Sequence, residues 1–160
     1  MWMRRRMTWS SNVKPVKFPL NKLRGKGVTV FGAIGECLPK AVFTLAPTTN
    51  REHVMEFLKK LRSVMTPNPM APKNKKDRLV VVLDNHRAHV SEEVVGLARQ
   101  LNMELLFLPP YCPELNSIES LWSIVKGSIK TTLTDYSYKT ISQEKFESII
   151  FDCLNEVTPA

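Results

Sequence analysis

The sequence predicts an α/β domain whose mixed sheet is flanked by helices. Short β-branched apolar runs alternate with stretches of helical periodicity, and Pro- and Gly-bearing breakers separate them. The chain has 160 residues, of which 43 % are apolar, enough to bury the core of one domain. Its longest strand-like apolar run, Val28 to Ile34, is far short of the roughly 18 residues a membrane span needs, so no membrane partner is expected. Cys37, Cys112 and Cys153 stand far apart with no CxxC pair, which excludes a disulfide scaffold and a zinc ribbon.

The elements follow in order. VTVFGAIG (28–35) reads as a buried strand and KAVFTL (40–45) as a second. The short segment at 36–39 can close them into a hairpin, and Pro47 ends the second strand. Val54, Leu58, Leu61 and Met65 recur at helical spacing and predict a helix over 50–65. Pro67, Pro69, Pro72 and four basic residues mark a surface loop at 66–78. LVVVL (79–83) has the uniform apolar character of a central strand covered on both faces. Val90, Val94, Leu97 and Leu101 repeat the helical spacing, and MELLFL (103–108) is the next strand. A helix is expected from Pro113 to about Lys130, Pro113 lying in its first turn. Ser142 is placed to cap a last helix bearing Phe146, Ile149, Ile150 and Cys153.

The charge is unevenly spread. Residues 1–35 contain no acid and carry Arg4, Arg5, Arg6, Lys14, Lys17, Lys22, Arg24 and Lys26. The remainder holds 15 basic and 15 acidic residues, so the whole excess of +8 sits at the N-terminus. Such a segment is the electrostatic footprint of a phosphate-backbone binder, and these eight side chains are the expected DNA contacts. A transit peptide is disfavoured because Pro15, Pro19, Gly25 and Gly27 interrupt any amphipathic helix.

Two carboxylates stand where chemistry is usual. Asp84 ends the LVVVL run, and sites in open α/β sheets cluster outside the carboxyl ends of strands. A turn- or helix-capping Asp is common at such a junction and is the plainer alternative. On the helix expected after the next strand, Leu115, Ile118, Leu121, Trp122, Val125 and Ile129 form one apolar stripe. Asn116, Glu119, Ser123, Lys126 and Lys130 run along its flank, which puts Glu119 at the edge of the buried face; a surface Glu supporting a lysine is the plainer alternative. If the strands at 79–83 and 103–108 are parallel neighbours, Asp84 and the helix start leave the sheet at one end. Two carboxylates held together need a cation between them, and hard oxygen ligands favour Mg²⁺ or Mn²⁺. His86 and His89 lack a third nitrogen ligand for zinc; His89 is a candidate substrate-phosphate contact, with Lys126 and Lys130. Tyr111 and Trp122 are expected to be packing residues.

LVVVLDNHRAH (79–89) followed by LPPYCPELNSIESLWSIVK (108–126) resembles the DDE transposases of the mariner and related insertion-sequence superfamily. The strand-end Asp and the Glu of that family's Pro-x-Leu-Asn-x-Ile-Glu-x-x-Trp motif match Asp84 and Glu119, separated by 34 residues. The resemblance implies a ribonuclease-H-like fold and a two-metal site using Mg²⁺ or Mn²⁺. In that site Asp84 and Glu119 are the second and third catalytic carboxylates and metal ligands. It further implies DNA cleavage and strand transfer, DNA as partner, a working homodimer, and a nuclear location in a eukaryote or a cytoplasmic one otherwise.

No Asp precedes Asp77, so the family's first catalytic Asp, on the central strand of its sheet, has no counterpart. The expected organisation is a basic connecting arm at 1–27, a partial catalytic core at 28–130 lacking that strand, and a linker and helix at 131–160. Little or no cleavage is expected of such a chain. The alternative is a non-catalytic DNA-binding remnant or domesticated adaptor using the basic arm.

Overall fold

The structure is a computed structural model and describes residues 27–36, 38, 40–65, 78–134 and 141–157. Strand β1 (Thr29–Ala33) pairs antiparallel with β2 (Val42–Ala46), Phe31 opposite Thr44. Helix α1 (Arg51–Met65) follows, its entry fixed by Asn50, whose Oδ1 accepts the His53 amide at 2.9 Å. Strand β3 (Leu79–Leu83), helix α2 (Glu92–Gln100) and strand β4 (Met103–Phe107) make a βαβ unit, with β3 and β4 parallel. Helices α3 (Ile118–Thr134) and α4 (Gln143–Val157) close the chain.

The hairpin is the middle layer of an α/β/α sandwich. Successive strand side chains point to opposite faces. Phe31, Val42 and Ala46 therefore meet α1 on one side, where Phe31 stacks on Phe57 with centroids 5.9 Å apart. Val28, Val30, Phe43 and Leu45 face the other way, into the Val125, Ile129, Ile149, Ile150, Cys153 and Leu154 cluster of α3 and α4. Both parities of the hairpin are apolar because both faces are covered. The β3–β4 pair joins the same first core: Leu79, Val81, Met103 and Leu105 pack with Val54, Leu58 and Leu61 of α1 and Val94 and Ala98 of α2. Arg51 of α1 and Glu93 of α2 add an exposed ion pair at 2.8 Å, which contributes under about 1 kcal/mol.

Three expectations are corrected. The described strands form two separate two-stranded sheets, one antiparallel and one parallel, in place of a single mixed sheet. Among the described residues nothing pairs with the second edge of β1 or of β3. The LVVVL strand is covered on one face only: Val80 and Val82 are 52 % and 49 % exposed, because α3 and α4 lie over the hairpin and leave this half of the opposite face bare. The helical segments are also shorter than their periodicity suggests. Val90 precedes the Ser91 cap of α2 and is exposed, while Leu115 lies in a single 3₁₀ turn at Pro113–Leu115 and is exposed too. Asn116, extended at φ −100° and ψ 96°, separates that turn from α3. The expected Ser142 cap is present, its Oγ accepting the Lys145 amide at 3.2 Å. Among the described residues no helix is long and apolar enough to cross a membrane.

Helix α3 approaches the hairpin closely at one point. A methyl group at Gly32 would stand 2.6 Å from Cη2 of Trp122 and 3.0 Å from Cδ1 of Phe43. The indole fills the notch of the missing side chain, and its ring tilts 57° against Phe43. Trp122 is thus a packing residue, as the periodicity indicates. Gly32→Ala is expected to destabilise the fold by about 1–3 kcal/mol in urea denaturation, the range for overpacking. Adding Trp122→Leu should recover part of that loss, since the clash is with the indole.

Candidate active site

The parallel ladder brings two chain segments out at one end of the β3–β4 sheet. Leu83 lies opposite Phe107, and the ladder continues one step further with the Leu108 amide donating to the Leu83 carbonyl at 2.9 Å. Asp84 therefore emerges beside Leu108, as expected for parallel neighbours. The Asn85 side-chain amide donates to the Leu108 carbonyl and ties the two exits together.

Asp84 sits in a compact turn. Its Oδ1 accepts the His86 amide at 3.2 Å, the side-chain-to-backbone bond of an Asx turn. The same oxygen lies 2.7 Å from Nδ1 of His89. The His89 amide in turn donates to the His86 carbonyl at 2.8 Å, and the two imidazoles meet edge to face at 5.5 Å. The Asp84 side chain is 61 % exposed and that of His89 19 %, so the histidine is the more enclosed partner. Asp84 thus fulfils the plain turn-forming role and still presents its carboxylate to solvent.

From Leu108 the chain runs through Pro109, Pro110, Tyr111, Cys112 and Pro113 into the 3₁₀ turn. Tyr111 adopts φ 62°, in the left-handed region, and is fully exposed. The expectation that it packs is therefore overturned: the positive φ turns its side chain away from the fold. Glu119 follows in the first turn of α3, its amide donating to the Asn116 carbonyl at 2.9 Å. A carboxylate there is favoured by the helix dipole. Glu119 is exposed and lines an open groove of about 370 Å³ with Pro113, Glu114, Asn116, Ser117, Ser120 and Ser123. Asp84 does not line this groove. Lys126 and Lys130 are exposed further along α3. Arg4, Arg5, Arg6, Lys14, Lys17, Lys22, Arg24 and Lys26 lie outside the described residues.

No three His, Cys, Asp or Glu side chains among the described residues are arranged to hold a metal ion. Asp84 and Glu119 supply hard oxygen donors of the kind that bind Mg²⁺ or Mn²⁺, but two carboxylates alone do not make a metal cage.

Two features of this site escape sequence reasoning. The Asn85 clamp depends on strand register, and the exposure of Tyr111 depends on one backbone dihedral. A Tyr between prolines was the available signal for the second.

Residues 3–142 match the model of the family described as DDE superfamily endonuclease. This span is most of the chain, and the protein belongs to that superfamily. A search of curated proteins finds no significant match. Endonucleases of the superfamily generally use divalent metal ions, and membership implies DNA as the substrate.

Asn85→Ala should loosen the joint between the two strand exits. Loss of one hydrogen bond of about 1 kcal/mol corresponds to a roughly fivefold loss of protection. It should appear in hydrogen exchange at the Leu108 amide, with exchange in α4 unchanged.

Proposed function

We propose that the chain is the DNA-handling part of a transposase-type strand-cleaving and strand-joining enzyme of the mariner and insertion-sequence branch. Asp84 and Glu119 are the two carboxylates it contributes, with Mg²⁺ or Mn²⁺ as the ion such donors select. The observation that carries this is the exit of Asp84 and the Glu119 connection from one end of a parallel β3–β4 pair, clamped by Asn85. Residues 28–130 form the catalytic part, 1–27 the basic arm that holds the phosphate backbone, and 131–160 an accessory linker and helix.

A further strand belongs between β1 and β3. Both strands border the same apolar core, each is paired on one edge only among the described residues, and Thr29 is their one polar side chain. Strand edges left open in a finished sheet usually carry Lys, Pro or a bulge, and TVFGA and LVVVL carry none. Such a strand would supply the third carboxylate. The chain by itself accordingly binds DNA and cleaves it little or not at all. The basic excess confined to residues 1–35 keeps a non-catalytic DNA-binding adaptor as the second reading.

Duplex binding by the 160-residue chain should weaken by about 10³-fold or more between 50 and 200 mM salt, as for a protein making several phosphate contacts. Replacing Arg4, Arg5 and Arg6 with Ala should lower the slope of log affinity against log salt by about one for each phosphate left without its arginine. A flat response would remove the basic arm from the mechanism. In a supercoiled-plasmid assay with Mg²⁺ or Mn²⁺, nicking is expected to stay at background. Nicking abolished by Asp84→Ala and by Glu119→Ala would instead show that the chain needs no further strand.

A further inference from the structure

Tyr111 is held away from the fold at a cost in backbone energy. A bulky residue at φ 62° is an outlier, of the kind that persists where surrounding structure enforces it and that clusters at functional sites. Here the enforcement is visible. Pro109, Pro110 and Pro113 fix their own φ angles on either side. The Asn85 side chain pins the Leu108 carbonyl before them, and the 3₁₀ turn, with the Leu115 amide on the Cys112 carbonyl at 3.2 Å, fixes the chain after them. The ring gains nothing from the fold in return, since it is fully solvated. A constrained loop therefore presents a bare phenol ring on the connection that leads from the strand exit beside Asp84 to the helix that carries Glu119.

We propose that Tyr111 is a substrate-contacting residue whose ring stacks on an unpaired nucleobase of DNA at this site. The proposal rests on the reading of the chain as a DNA-handling domain. An aromatic face accepts any base, so the contact recognises single-stranded or frayed DNA without regard to sequence. Fixing the ring in advance lowers the entropy lost on binding, which gives the strained backbone a function. Stacking is not an ionic contact, so it acts independently of the basic arm and leaves the salt dependence unchanged.

The test uses the full 160-residue chain, a fluorescent hairpin duplex with a blunt end, and the same hairpin ending in three unpaired nucleotides. Tyr111→Ala should weaken binding to the frayed hairpin about five- to hundredfold, the range for loss of one stacked base. Binding to the blunt hairpin should change less than twofold. Tyr111→Phe and Tyr111→Trp should keep the preference for the frayed end, because the ring and not the hydroxyl carries it. All three variants should unfold at the wild-type temperature, since the solvated ring does not pack on the fold. Equal binding of wild type and Tyr111→Ala to the frayed hairpin would overturn the proposal while leaving the DNA-handling reading intact. So would a loss in Tyr111→Phe as large as that in Tyr111→Ala, which would assign the contact to the hydroxyl. Absence of binding to either hairpin by the wild type would overturn both.

Discussion

Both sheets share one apolar core built on α1 and α2. Val54, Phe57, Leu58 and Leu61 of α1 are buried against Phe31, Val42 and Ala46 of the hairpin, and the same cluster takes in Leu79, Val81, Met103 and Leu105 of the parallel pair. No described strand ties the two sheets together, so this apolar contact is what holds them in one fold. Hydrophobic burial is non-directional and tolerates such an arrangement, whereas backbone pairing would require a strand between them. The Lys60 ammonium adds a directional link, donating to the Phe43 carbonyl at 2.7 Å and so tying α1 to β2.

The site depends on a different kind of constraint. Parallel pairing forces β3 and β4 to leave the sheet at the same end, and the intervening helix is the crossover that makes parallel pairing possible. Asp84 and Leu108 are neighbours for that reason, and the Asn85 amide converts neighbourhood into attachment. Beyond Leu108 the prolines and the 3₁₀ turn stiffen the path to Glu119. The two carboxylates thus belong to chain segments joined at the Asn85–Leu108 clamp.

The face of the β3–β4 pair that bears Val80, Val82 and Leu106 stays open, while the equivalent face of the hairpin lies beneath α3 and α4. Gly32 accounts for part of this asymmetry. By admitting the Trp122 indole against the strand, it seats α3 over β1 and β2. Asp84 stands exposed at the end of the β3–β4 sheet, and Glu119, Lys126 and Lys130 are exposed along α3.

The order and type of the described strands and α-helices were legible in the sequence because each rests on local patterning: β-branched runs for the strands, i, i+4, i+7 spacing for the helices, Ser142 at the start of the last. The position of Asp84 at a strand end and that of Glu119 on the following helix were legible for the same reason, whereas the place of Glu119 in the first turn was not, because Pro113 marks a separate 3₁₀ turn and not the helix start. Coverage was not. LVVVL reads as doubly buried, yet whether a second layer lies over Val80 and Val82 is decided by where α3 and α4 dock, and that docking depends in part on a contact between Gly32 and Trp122, 90 positions apart in the chain. The split into two sheets, the clamp between Asn85 and Leu108, and the outward turn of Tyr111 depend likewise on pairing register and one backbone dihedral. Local composition determined which segments become strands and helices and where along them Asp84 and Glu119 fall. Only the tertiary structure decided which faces are covered and which side chains face the solvent, because both follow from contacts between residues that no sequence spacing links.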